Sequence, residues 1–398
     1  MTGRRPNNRR TVVCALALCS LVVTSLAVGC SSSQQGDSQR ITPRAQPEPP
    51  QRVLSILSDW FQDLPTPVPA VQPFVQGSST IVVLPDTQVY AELYPEIFER
   101  QTRWIADHRH ERDIRFALHL GDITEHGNQR EWESAVDAMR WLDGRVPYAL
   151  VGGNHDYGRG GNAESRDSLL STYFPVRKFR DGPTFGGTYN ADVLDNSYHL
   201  FSAGGREWIA VMLEWGPRKD VVEWADKVLS AYPNRTAIVV THAYLFDDGT
   251  RYDQAREDQP WNPHHYGTAK LPGGVFDGQE LWDTLINEHG NVAMVLSGHV
   301  LGDGTGLLSS KGKHGNTVHQ MLSNYQMLEE GGRGYLRLLE ILPGGNKIQV
   351  KTYSPWIDDY LTDQDQQFEI DIDVRLSEDA NPIREASPEL SMATLTGD

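Results

Sequence analysis

Side chains of one chemical kind stand wherever a short apolar run breaks off. IVVLP (81–85) runs into Asp86-Thr87-Gln88, FALHL into Gly121-Asp122, and YALVG into Gly153-Asn154-His155-Asp156. Further along, AIVV runs into Thr241-His242 and AMVLS into Gly298-His299. Carboxylate, amide oxygen and imidazole, with no thiolate among them, are donors that suit Mn, Fe, Zn or Mg. One Asp or His at the end of a strand means little. The repetition makes sense as a metal site dispersed along the chain, provided the strand ends meet.

The elements around these residues can bring them together. IVVLP, IRFALHL (114–120), PYALVGG (147–153), TAIVVTHAY (236–244) and VAMVLSGH (292–299) read as strands, short and continuously apolar. Residues 93–109 and 129–144 carry helical spacing, as do 220–232 and 279–289. Gly144 closes the second of these helices. YHLFSAGG and EWIAVMLEW read as an antiparallel pair, and the stretch from residue 316 to 373 alternates as strands around the turn Pro343-Gly344-Gly345. This is an α/β pattern with a β-rich close. In such sheets the carboxyl ends of neighbouring strands converge on one crevice.

In order along the chain, Asp86-Thr-Gln88, Gly121-Asp122, Gly153-Asn-His-Asp156, Thr241-His242 and Gly298-His299 resemble the motifs of calcineurin-like metallophosphoesterases, over about residues 80–355. The resemblance implies a four-layer α-β-β-α sandwich of two mixed sheets flanked by helices. It implies one or two divalent metal ions, with manganese expected and Fe, Zn, Mg or Ca as alternatives. Asp122 would bridge two metals, Asn154, His242 and His299 would complete the second site, and Asp86 would hold the first. His155 would sit near the phosphoryl oxygens or the leaving group, oriented by Asp156. The implied reaction is hydrolysis of a phosphate mono- or diester by a metal-activated water.

Two positions depart from the family pattern, both at the first metal. Gln88 replaces the histidine of Asp-x-His, and Leu301 replaces the last residue of Gly-His-x-His. Leu301 cannot bind a metal. Gln88 can do so through its amide oxygen, and Asp303 follows in a Gly-flanked turn. A first site of Asp86, Asp122, Gln88 and Asp303 would be all oxygen and would favour Mn, Mg or Ca over Zn. These departures also keep open a competing reading, a metal-binding protein of the same fold that binds its ligand without turnover.

Around the motifs, His119 reads as a buried histidine and Glu214 as a structural partner of Arg218. Tyr157, directly after a motif, is a substrate-contact candidate. The polar loop from Phe246 to Phe276 leaves the strand end that carries His242, and a loop of that length inside a compact domain is usually functional. Trp261, His264, His265 and Tyr266 are its substrate-contact candidates.

The N-terminus has a separate purpose. Arg4, Arg5, Arg9 and Arg10 precede an uncharged apolar run that ends in Gly29-Cys30, the layout of a secretory signal with a lipobox-like end. The expected organisation is a lipoprotein signal peptide over 1–29 and a tether over 30–76 with a possible short helix. A catalytic domain over 77–373 and a polar tail over 374–398 follow. The three cysteines all fall at or before Cys30, so neither disulfides nor thiolate ligands are expected in the domain. The expected location is a bacterial membrane, held through lipid on Cys30, with the domain facing periplasm or exterior. The formal net charge is −17, and loss of residues 1–29 removes four arginines and no acid. Nucleic acid is therefore not an expected partner. A small phosphoester or a cell-envelope component is the expected substrate.

Overall fold

A computed structural model of the chain describes residues 70–377. The signal segment, most of the tether with its short helix, and the tail beyond residue 377 lie outside the described residues.

Strand β1 (Ser79–Leu84) is buried along its whole length. Ile81 and Val83 enter one apolar core while Val82 and Leu84 enter another, the two-residue alternation of a strand covered on both faces. The described strands continue as β2 (Ile114–His119), β3 (Tyr148–Leu150), β4 (Phe185–Asn190), β5 (Val193–Ala203), β6 (Arg206–Leu213) and β7 (Thr236–Thr241). They close with β8 (Val292–Ser297), β9 (Thr305–Lys311), β10 (Thr317–Ser323), β11 (Leu336–Ile341), β12 (Lys347–Ser354), β13 (Asp359–Leu361) and β14 (Gln367–Asp371).

Two mixed sheets result. The first has the order β13-β12-β11-β1-β2-β3, with β14 also paired to β12. Within it β1, β2 and β3 are parallel, and β11 joins β1 antiparallel in the register Val82 to Leu338. The second has the order β4-β5-β6-β7-β8-β10-β9, with β6, β7, β8 and β10 parallel. β5 and β6 form the antiparallel pair expected from the sequence.

Three apolar layers hold the sheets and helices together. Between the sheets, Ile81, Phe116 and Leu118 meet Trp208, Met212, Ile238 and Leu296. Outside the first sheet, Phe98 and Ile105 of the helix Pro95–Asp107 pack with Trp132 and Met139 of the helix Gln129–Met139. Outside the second sheet, the helix Lys219–Ala231 buries Val221, Trp224, Ala225, Val228 and Leu229 beside Leu281 of the helix Gly278–Thr284. This is the α-β-β-α sandwich that the family resemblance implied.

Helix boundaries differ from the sequence reading in identifiable ways. The expected helix over 93–109 is observed as Pro95–Asp107, and a separate short helix, Gln88–Leu93, which the sequence reading did not include, precedes it. Pro95 has no N–H to donate and disfavours helical backbone at Tyr94, which lies at φ −134°, ψ 56°. The helix expected over 279–289 stops at Thr284, and a single 3-10 turn follows at Ile286–Glu288.

Candidate metal centre

The parallel strands of both sheets deliver their carboxyl ends to one place. β1 leads to Asp86, β2 to Asp122, β3 to Asn154, β7 to His242 and β8 to His299. Asp122 is the hub. It takes a left-handed backbone, φ +47°, and accepts the His155 N–H on Oδ1 at 2.9 Å. Its Oδ2 accepts from Gln88 Nε2 at 3.2 Å and lies 3.1 Å from His242 Nε2.

The two histidines are held by backbone carbonyls. His242 Nδ1 donates to the Leu120 carbonyl at 2.8 Å, which leaves Nε2 to face the site. His299 Nε2 donates to the Trp261 carbonyl at 2.9 Å, which leaves Nδ1. The backbone N–H of His299 in turn donates to Asp86 Oδ2 at 3.0 Å.

Burial and mutual charge set the protonation of this group. Burial opposes a charged His242, but the Asp122 and Asp86 carboxylates outweigh it and raise the imidazole to about 9. Burial likewise pushes Asp122 up, and the imidazoles of His242, His155 and His299 overcome it, holding the carboxyl below its usual range. His299 is lowered to about 3 by burial and by His242, so it is neutral, the form a metal ligand needs. Asp86 is raised to about 7, mainly by burial, with His242 opposing and Asp122 adding.

The donor set fits a divalent metal ion. Asp86 Oδ1, Gln88 Oε1, Asn154 Oδ1 and His242 Nε2 are all buried and without a hydrogen-bond partner. Each such group costs about 1–3 kcal/mol if left unmatched. His242 Nε2 and Asp122 Oδ2 approach to 3.1 Å, a charged pair whose proton a divalent cation bound by both would displace. One ligand atom from each of Asp122, His242 and His299 lies within 4.8 Å of the others. Oxygen and nitrogen donors without sulfur suit Mn, Fe, Zn or Mg.

Two glycines make this approach possible. A Cβ on Gly298 would stand 2.0 Å from Asp86 Oδ1, and one on Gly153 would stand 2.1 Å from Asp122 Oδ1. Gly298→Ala is therefore expected to displace Asp86 and weaken manganese binding by roughly 10–100-fold, the range seen when groups supporting a ligand are lost. Calorimetric titration of the folded variant checks this, and wild-type affinity would show that Asp86 need not stand where it does.

Several sequence expectations are corrected. Asp156 does not orient the His155 ring. Its oxygens accept the N–H groups of Ile123, Thr124 and Gly153 and the Thr124 hydroxyl. It thus clamps together the two loops that carry Asp122 and Asn154. The His155 ring is held instead by Glu125, whose carbonyl lies 2.8 Å from Nδ1 and whose carboxylate lies 3.5 Å away. Burial lowers the His155 pKa, but Asp122 and Glu125 raise it more, and the net shift is upward.

Tyr157 is not a substrate contact. It is 1% exposed, packs in the core outside the second sheet and donates its hydroxyl to Asp195 at 3.0 Å. Asp303 is not a ligand either. It is exposed, and its carboxylate folds back on the Thr305 N–H at 3.1 Å. His264 is engaged elsewhere, with Nε2 2.8 Å from Glu280 Oε2, beside the Asp277 cap of the helix Gly278–Thr284.

The remaining loop residues face differently. His265 is exposed. Trp261 is 42% exposed and has φ +63°, unusual for a bulky residue, while its carbonyl grips His299. Tyr266 packs edge-on against Trp215 at 4.9 Å.

Trp215 escaped the sequence reading although its buried ring lies 4.9 Å from His299 and 5.8 Å from His242. Its position just past β6, at the same sheet end as the motifs, was the available signal. His119 is buried between the Thr87 hydroxyl and the Gly121 N–H. Glu214 pairs with Arg166 and Arg218.

Residues 79–303 match the calcineurin-like phosphoesterase family. The chain belongs to that family. These residues form a metallophosphoesterase domain, which in this family works with divalent metal ions. The uncharacterized protein YvnB of Bacillus subtilis (strain 168) is 32% identical over 313 residues, covering 74% of this chain and 22% of that protein. The match thus spans about a fifth of that relative's length. Among solved structures, a purple acid phosphatase from yellow lupin (Lupinus luteus) seeds aligns at 15% identity and TM-score 0.46, covering 76% of this chain and 55% of that one. The NAD nucleotidase of Haemophilus influenzae aligns at 11% identity and TM-score 0.37, covering 76% and 52%.

Proposed function

We propose that this chain is a manganese-supported phosphoesterase that hydrolyses a small phosphate mono- or diester outside the cytoplasm. One observation carries the reading: buried, unpartnered acceptors from Asp86, Gln88, Asn154 and His242 gather around a single carboxylate, Asp122. Divalent ions held by these donors supply Lewis acidity toward a phosphoryl oxygen and toward water.

The protein side chains do the rest. Asp122 carries the negative charge that holds the donors together. His155, half-buried, with Nδ1 fixed on Glu125, has Nε2 left to give a proton to the leaving oxygen. Asp156 keeps the Asp122 and Asn154 loops in register. Trp261 and His265, exposed in the loop that touches His299, meet the organic part of the ester.

The acidity of the chain, −17 before any processing, supports a small substrate over a long polyanion such as nucleic acid. Export and anchoring through lipid on Cys30 rest on the basic and apolar N-terminal segment, which is outside the described residues. Among the described residues no helix is long and apolar enough to cross a membrane.

Gln88 and Leu301 favour a second reading, a binding protein without turnover. Initial rates on p-nitrophenyl phosphate and bis(p-nitrophenyl) phosphate, with manganese, separate the two. Saturable turnover of either ester supports the phosphoesterase and shows which ester class it prefers. A folded, metal-loaded chain that turns over neither supports the binding protein.

A further inference from the structure

We infer that the metal centre is built as two unequal halves, one with two imidazoles and one with oxygen ligands only, and that Gln88 makes the oxygen half a weak, exchangeable site for a hard divalent cation. This rests on reading the Asp122 cluster as a metal centre.

The buried atoms without partners are of two kinds. His242 Nε2 is a ring nitrogen, and His299, whose Nε2 is taken by the Trp261 carbonyl, offers Nδ1 as a second. Asp86 Oδ1, Gln88 Oε1 and Asn154 Oδ1 are oxygens, and the family resemblance places Asn154 with the imidazoles and Asp86 with position 88. Asp122 serves both, since Oδ2 touches Gln88 and His242 alike.

Among the described residues, the nearby candidates in sequence do not add a nitrogen ligand to the oxygen half. Leu301 is apolar. Both ring nitrogens of His119 are engaged, by Thr87 and by the Gly121 N–H. Asp303, the acid nearest in sequence to Leu301, is committed to Thr305.

Gln88 has two functions there. Its Nε2 donates to Asp122 Oδ2 at 3.2 Å, which fixes the amide plane and aims Oε1 as a neutral oxygen donor. A neutral amide oxygen with two carboxylates and water matches the preferences of Mn, Mg and Ca, and lacks the imidazole that would favour Zn. The half with His242 and His299 has the donors that hold Mn, Fe or Zn more tightly.

The test is calorimetric titration of the metal-stripped full chain with manganese, followed by electron paramagnetic resonance of the loaded protein. The expected result is two steps, with the second at least about 100-fold weaker and displaced selectively by magnesium or calcium. Gln88→Leu should remove the weak step and leave the tight one. Gln88→His should tighten the weak step, let it accept zinc, and give an exchange-coupled manganese pair at lower metal concentration. It also serves as the deciding variant if Gln88→Leu does not fold.

A single step in the wild-type chain, two equal steps, or a weak step that survives in folded Gln88→Leu would overturn the inference while leaving a metal centre in place. Absence of any tight step would overturn both this inference and the proposed metal-dependent reaction.

Discussion

Asp122→Asn is expected to lower kcat for phosphoester hydrolysis by roughly 1,000-fold or more while the protein stays folded. The substitution keeps the shape of the side chain and can still accept the His155 N–H. It removes the charge that His242 faces at 3.1 Å and that Gln88 grips at 3.2 Å. Metal-assisted stabilisation of a phosphoryl transition state is worth several kcal/mol, and each 1.4 kcal/mol is about tenfold in rate. Steady-state kinetics at saturating manganese and thermal melting measure the two sides of this expectation. A variant with a wild-type kcat would remove Asp122 from the reaction.

The largest expected loss of stability lies far from the metal centre in sequence and chemistry. Glu340 on β11 is fully buried between Lys351 on β12, at 2.6 Å, and Arg112 in the turn before β2, at 3.1 Å. Lys351 is itself only 1% exposed, and burial lowers its pKa while Glu340 raises it. Glu340→Ala leaves that ammonium inside the first sheet without its counter-charge, with the Pro73 carbonyl at 3.0 Å as its remaining partner. Breaking a buried pair by removing one partner typically costs about 3–5 kcal/mol. Urea unfolding should show a loss of that size, with kcat of the folded fraction nearly unchanged. A loss under about 1 kcal/mol would mean that Lys351 finds water or another partner.

The central strands were legible because they are covered on both faces and therefore read as unbroken apolar runs, and the sandwich followed from the family that their motifs resemble. Asp86, Asp122, Asn154, His242 and His299 were legible because each follows such a run, and parallel strands place their carboxyl ends together. The two departures at Gln88 and Leu301 could be read from the sequence as well. Their consequence, an oxygen-only first site, could be read too, but not the engagement of Asp303 by Thr305, which depends on a turn invisible in the residue types.

Tertiary pairing explains the other differences. Tyr157 directly follows a motif, yet the turn Asn154–Asp156 sends its ring beneath Gly152 into the core. His264 is drawn to a helix cap more than ten residues away in sequence. Trp215 and Glu125 reach the site through ring packing and a carbonyl contact, which leave no spacing pattern in the chain. Asp156 was found by its motif, but its backbone partners were invisible until the two loops came together.

The most direct test is the release of p-nitrophenol from bis(p-nitrophenyl) phosphate by the metal-stripped full chain, before and during manganese addition, in wild type and in Asn154→Ala. The expected result is negligible turnover without metal, saturable turnover with manganese, and loss of that turnover in the variant. Manganese-independent hydrolysis, or hydrolysis undiminished in Asn154→Ala, would contradict a reaction carried by the metal centre around Asp122.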